Sequence, residues 1–135
     1  MISGLFTAAR EAVVCLPIRG PKGEEHEIEA VIDTGFNGSL ILPPAFIAKL
    51  GLTWRQRGKA VLADGRTGLF DIFEAIVIWD GKLRRVAVDA IDADPLVGMS
   101  LIYGHDLTIE AVAGGRVTIQ ARRSNPPVTS SGDRR

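Results

Sequence analysis

Ala30-Val31-Ile32-Asp33-Thr34-Gly35-Phe36-Asn37-Gly38-Ser39-Leu40-Ile41-Leu42-Pro43 decides how the rest of the chain is read. Apolar and β-branched residues lead up to Asp33, the pattern of a buried strand. A hydroxyl residue and a glycine follow, and then a second apolar run that stops at Pro43 and Pro44. Gly35 and Gly38 permit backbone angles closed to other residues, so a sharp turn fits directly after the acid. The carboxyl group of Asp33 is thereby expected at a strand end, between two apolar segments. Desolvation makes that a costly place for a carboxylate unless it has a task there. The plain alternative is a turn or cap residue, a common use of Asp beside Gly.

Working outward, residues 12–18 have the composition of a strand, and Gly20-Pro21-Lys22-Gly23 that of a turn. Residues 27–32 alternate polar with apolar, so the two segments predict a hairpin leading into the acid loop. Leu40-Ile41-Leu42 continues as a short strand. Pro44 is placed to begin a helix over 45–50, with Gly51 as its C-terminal cap. Residues 52–63 return as a strand, and Asp64-Gly65-Arg66-Thr67 is a turn. The next strand, 69–79, sets Ile72, Glu74, Ile76 and Ile78 on one face and Phe73, Ala75, Val77 and Trp79 on the other. Asp80-Gly81 is a strong two-residue hairpin signal. Leu83, Val86, Val88 and Ile91 lie on the returning segment, before Leu96-Val97-Gly98. A short helix is expected over 99–104, then strands at 107–112 and 116–121 joined through Gly114-Gly115. Many short strands with regular turns predict a small all-β barrel or sandwich.

The 135 residues suffice for one domain with a single core, and 46% are hydrophobic. Sixteen basic residues balance sixteen acidic ones, which argues against a general binder of nucleic acid or membrane surfaces. Residues 122–135 hold Arg122, Arg123, Arg134 and Arg135 against Asp133, a net of +3, so the remainder carries −3. This polar, Pro- and Ser-containing stretch is expected to be a disordered tail behind a domain of residues 1–121. Cys15 is the only cysteine, which excludes an internal disulfide and argues against a thiolate metal cluster. His26 sits among Glu24, Glu25 and Glu27, as in a solvated turn. His105 is expected to cap an element or lie at the surface, so no metal site is expected. Arg10 and Glu11 interrupt the N-terminal apolar residues, and no run reaches the length of a membrane span. A soluble, cytoplasmic protein is the expectation.

Val31-Ile32-Asp33-Thr34-Gly35 resembles the catalytic loop of the retropepsin-like aspartic proteases. Phe36-Asn37-Gly38 with Leu42-Pro43 is most similar to the small bacterial members of that clan. The resemblance spans about residues 10–121 and has three parts in order: the acid loop, a hairpin flap at Asp64-Gly65-Arg66-Thr67, and Leu96-Val97-Gly98 beside the acid loop. It implies a small closed acid-protease-like barrel with one or two short helices. It implies catalysis by Asp33, with Thr34 and Gly35 shaping the loop, and a substrate-binding flap tip of Asp64, Gly65 and Arg66. No metal or organic cofactor is implied. The partners are a peptide or protein substrate and a second copy of the chain, with no nucleic acid and no membrane. The chemistry needs two carboxylates sharing a proton, and the chain has a single Asp-Thr-Gly, so the resemblance implies a homodimer. Phe36 stands where the viral enzymes have a small residue, and Met99-Ser100 where they have a basic residue and then Asn or Asp. The alternative is a non-catalytic dimerisation or peptide-binding module on the same fold.

Overall fold

The computed structural model describes residues 1–123. In chain order the elements are β1 (Ile2–Phe6), β2 (Ala12–Arg19), β3 (Glu25–Ile32), β4 (Leu40–Leu42), α1 (Pro44–Leu50), β5 (Thr53–Val61), β6 (Thr67–Trp79), β7 (Lys82–Ala90), β8 (Leu96–Val97), α2 (Met99–Ile102), β9 (His105–Ile109) and β10 (Arg116–Ala121). The fold is all-β with two short helices. Hydrogen-bonded neighbours run β5-β6-β7-β4-β8-β3-β2-β1-β10-β9, and β6 also pairs with β2 at Ile18↔Val77 and Arg19↔Ile76.

Strand alternation sorts the side chains. Along β2, Ala12, Val14, Leu16 and Ile18 are buried, while Val13, Cys15, Pro17 and Arg19 lie on the other face. Along β6, Ala75, Val77 and Trp79 are buried opposite the half-buried Ile72, Glu74, Ile76 and Ile78. The buried set among the described residues contains no polar or charged side chain. Leu16, Leu40, Leu42, Val88, Val97, Leu101 and Ile119 are almost wholly enclosed. Each such side chain contributes about 1.5–3 kcal/mol on burial.

Turn chemistry places the ends. Asp80 and Gly81 both take left-handed angles, φ 54° and 79°, which matches the twist of the β6–β7 hairpin. Pro44 opens α1, and the N–H of Gly51 donates to the carbonyls of Ala48 and Ile47 at its end.

Some boundaries differ from expectation. β1 had no counterpart in the pattern; it is held by β2 on one side and β10 on the other. β3 begins at Glu25, so His26 pairs with Ile18 within a strand and is not in a turn. The strand expected at 107–112 spans His105–Ile109, because Glu110 N–H already bonds Arg116 O to start the turn. α2 ends at Ile102, since Gly104 is left-handed at φ 86°. Arg122, assigned to the tail, donates from its backbone to Gly104 O and from its side chain to Asp106 at 2.7 Å. The disorder expected for the rest of the tail, 124–135, falls outside the described residues. Among the described residues, no helix is long and apolar enough to cross a membrane.

Candidate functional site

β8 is two residues long, yet it fixes the acid. It runs parallel to β3 at Val31↔Leu96 and Ile32↔Val97, and antiparallel to β4 at Leu40↔Val97 and Ile41↔Leu96. β3 and β4 are therefore not neighbours: β8 lies between them, and the loop 33–39 crosses over its end. Val97 is fully buried beside Ile32 and Leu40, so the crossing is anchored in the core.

Backbone bonds then tie loop to segment. Asp33 N–H donates to Val97 O at 2.9 Å, Gly98 N–H to Ser39 O at 2.9 Å, Met99 N–H to Phe36 O at 2.8 Å, and Ser100 N–H to Gly38 O at 3.1 Å. The Ser100 hydroxyl adds a bond to Asn37 O. Gly98 has to be glycine: a Cβ there would collide with the Gly38 carbonyl oxygen and the Phe36 ring. The same ring lies over Gly38. Phe36 thus folds back onto two glycines and seals the crossing.

The acid itself is half-buried, whereas Thr34 and Gly35 are exposed. Gly35 N–H donates to Asp33 Oδ1 at 2.9 Å, and Phe36 N–H to Asp33 O at 3.1 Å. These two bonds close a tight turn that orients the carboxylate. Oδ2 and the Thr34 hydroxyl have no hydrogen-bond partner among the described residues. Asp33 is absent from the linings of the five cavities described around Arg19, Arg55, Met1, Pro44 and Glu11.

Asp64, Gly65 and Arg66 form the tip of the β5–β6 hairpin. Leu62 N–H bonds Arg66 O at 2.7 Å and Gly65 N–H bonds Leu62 O at 2.9 Å. Asp64 accepts from Arg66 N–H at 3.0 Å and from its Nε at 2.6 Å. Those bonds, backbone first, lower the Asp64 carboxyl below its usual range. Gly65 stands at φ 86° with open space where a side chain would be. No hydrogen bond or ion pair joins this tip to Asp33 among the described residues. The predicted site residues thus fall into two groups: Asp33, Thr34 and Gly35 in one loop, and the hairpin tip apart from them.

One network was not foreseen. Arg84 of β7 donates to Leu101 O at 2.8 Å and Ser100 O at 3.2 Å, and its guanidinium lies 5.8 Å from the Trp79 ring centroid. Trp79 Nε1–H donates to His105 Nε2 at 3.1 Å. An indole N–H can only donate, so the imidazole carries its proton on Nδ1 and donates towards Ile102 O and Tyr103 O. Arg84 and His105 therefore cap the C-terminal carbonyls of α2, whose N-terminus is bonded to the acid loop. His105 is a capping residue, as expected. Arg84 carried no local signal, because its targets lie 16 and 17 residues away.

Burial, with help from Glu29 and Glu27, pushes the Cys15 thiol up, which disfavours the nucleophilic thiolate. No group of three or more His, Cys, Asp or Glu among the described residues could hold a metal ion. No family model, curated protein or solved structure matches the chain.

Proposed function

We propose that the chain is a retropepsin-like aspartic endopeptidase acting as a homodimer. In this reading the strands form a small closed acid-protease-like barrel, and two Asp33 carboxylates meet across a two-fold axis. The observation that carries it is the crossing of the Asp33-Thr34-Gly35 loop over β8. A half-buried carboxylate is presented at a strand end, oriented by Gly35, with its second oxygen unbonded among the described residues. The β2–β6 pairing, which returns one end of the sheet to its middle, supports the closed barrel.

The chemistry follows from pairing. Two carboxylates at close range cannot both ionise easily, so they share one proton. The ionised one takes a proton from a water held between them, and the water oxygen attacks the peptide carbonyl carbon. The other carboxyl gives its proton to the carbonyl oxygen. The tetrahedral intermediate then collapses, the C–N bond breaks, and the amine leaves with a proton. Thr34 is exposed with its hydroxyl free, as needed to bond the facing loop. Asp64, Gly65 and Arg66, at the hairpin tip, would close over bound peptide.

The test is hydrolysis of a denatured protein at about pH 4–6, where a shared-proton dyad operates. Wild-type protein should cut, and a transition-state-mimicking aspartic-protease inhibitor such as pepstatin should stop it. Asp33→Asn keeps the shape of the side chain and should lose cleavage by at least about a thousandfold while retaining its fold. A variant that cuts at the wild-type rate refutes the assignment. A correctly folded wild-type dimer that binds peptide without cutting favours the non-catalytic module.

A further inference from the structure

We propose that the small hollow where β2, β5, β6 and β7 come together binds a single carboxylate group, with Arg19 as its donor. The hollow measures about 90 Å³, and its lining includes Arg19, Leu52, Thr53, Glu74, Ile76 and Arg85. Pockets for drug-sized ligands run to about 300–1,000 Å³ and one water needs about 10–15 Å³, so this space suits a small head group. Arg19 pairs with Ile76, Ile76 with Arg85, and Thr53 with Glu74. These side chains therefore share the sheet face turned away from the buried Ala75 and Val77.

Arg19 carries the proposal. Its Nε is enclosed and has no hydrogen-bond partner among the described residues. A guanidinium keeps its charge and its N–H groups at any ordinary pH, so the desolvation of this donor goes uncompensated. The side chain touches Glu25 through Nη2 alone, at 3.4 Å. A carboxylate oxygen in the hollow would accept from Nε in a charge-assisted bond. Arg85, largely exposed at the rim, lies 3.5 Å from Glu74 through Nε, and its terminal nitrogens make no hydrogen bond among the described residues. They are placed to take a second oxygen of the same group, as the planar guanidinium favours.

Charge selects the group. The charged residues lining the hollow are Arg19, Arg85 and Glu74, two cations against one anion, a net of +1. Beyond the lining, Glu25 beside Arg19 is offset by Arg55, 3.7 Å from Glu74, and Glu24 on the preceding turn by Lys22. One carboxylate therefore neutralises the site, whereas a phosphate dianion would leave it negative. The buried Leu52 and half-buried Ile76 lower the local dielectric and strengthen such a contact. A free small acid and the C-terminus of a peptide both carry this group. The site stands apart from the acid loop: Arg19 pairs with Glu25 at the start of β3, and Asp33 follows the end of that strand. At about 3.3 Å per residue the two lie about 26 Å apart, so the proposal does not rest on the peptidase reading.

Two-dimensional NMR of the ¹⁵N-labelled full-length chain tests this at fixed ionic strength, with sodium acetate replacing sodium chloride. The Nε–H signal of Arg19, identified by its loss in Arg19→Lys, should shift saturably, together with the backbone amides of Gly20 and Ile76. Arg19→Lys keeps the charge but lacks the Nε–H; read at those two amides, its affinity for acetate should fall at least about tenfold. Thr53→Glu, at an exposed lining position, supplies a carboxylate from the chain itself and should weaken acetate by about as much, with the circular dichroism unchanged. The tripeptide Gly-Gly-Ala and its C-terminal amide then separate the sources. Tighter binding of the tripeptide acid than of acetate, and none of the amide, assigns the hollow to a chain end. Acetate binding at least as tightly as the tripeptide assigns it to small acids. An Arg19 Nε–H that does not shift saturably with either, as water in the hollow would leave it, overturns the proposal. So do a preference for inorganic phosphate over acetate, equal affinity for the tripeptide and its amide, and wild-type affinity in both variants.

Discussion

Two single residues offer tests at this scale, Gly98 and Asp89. Gly98 sits tightly, since any side chain there meets the Gly38 carbonyl and the Phe36 ring. Gly98→Ala should cost about 1–3 kcal/mol by overpacking and displace the acid loop, read as a lower urea midpoint with an unchanged m-value. The residue type was apparent from the pattern; the reason for it was not, because Phe36 and Gly98 are 62 positions apart. Asp89 tests a different balance. It lies beside Ile72 and Ile41 in the strand register, and burial raises its carboxyl above the usual range. A raised carboxyl means the folded state holds its proton more tightly than the unfolded chain. The penalty is absent below the unfolded value, grows as pH rises between the two values, and is complete above the folded one. Asp89→Asn should therefore stabilise the protein at neutral pH, by less than about 1 kcal/mol because the group is half-exposed and screened. The gain should vanish in acid. Urea denaturation of both proteins at neutral pH and at about pH 3, below the ordinary carboxyl value, checks the sign.

At the scale of elements, the long strands and their hairpins were legible because each rests on local rules. Composition marked β2, alternation marked β3 and β6, Asp80-Gly81 marked the β6–β7 turn, and Pro44 with Gly51 bracketed α1. β8 was apparent as an apolar segment, and its place beside the acid loop followed from the resemblance alone, since two residues carry no period. β1 was missed for the same reason: an exposed-then-half-buried pattern of five residues is a weak signal until β2 and β10 flank it. Under the peptidase reading, the β5–β6 hairpin is the element whose motion would matter for turnover. Its strand β5 lies at the end of the sheet, and its tip has open space around it. Gly65→Val places a β-branched residue at φ 86°, which costs about 1–2 kcal/mol of local strain. The core lies elsewhere, so the fold should persist with a small drop in urea midpoint. Closure over substrate should suffer more, and kcat/KM should fall by a larger factor than stability predicts. Equal kcat/KM in the two proteins would mean that the tip takes no part in turnover.

For the molecule as a whole, the peptidase reading with one acid loop per chain would make activity a property of association. If Asp33 works in a pair, specific activity should fall on dilution through the dimer dissociation constant, and the activity curve should superimpose on the mass curve. In that reading the exposed Thr34 and Gly35 would lie at the contact, and the two facing carboxylates would set its response to pH. When both are ionised at close range they repel; when they share one proton they hydrogen-bond. Association therefore takes up protons, and dissociation releases them. By linkage, the dimer weakens as pH rises through the range where the pair loses its shared proton. In Asp33→Asn there is no such proton to lose, so its dimer should hold across the same range with a smaller dependence on pH. Analytical ultracentrifugation of the two proteins from about pH 4 to 8 compares the slopes directly. Parallel slopes would place the contact away from Asp33. A wild-type chain that sediments as a monomer at every concentration, yet cleaves peptides with constant specific activity, would refute a site shared between two copies.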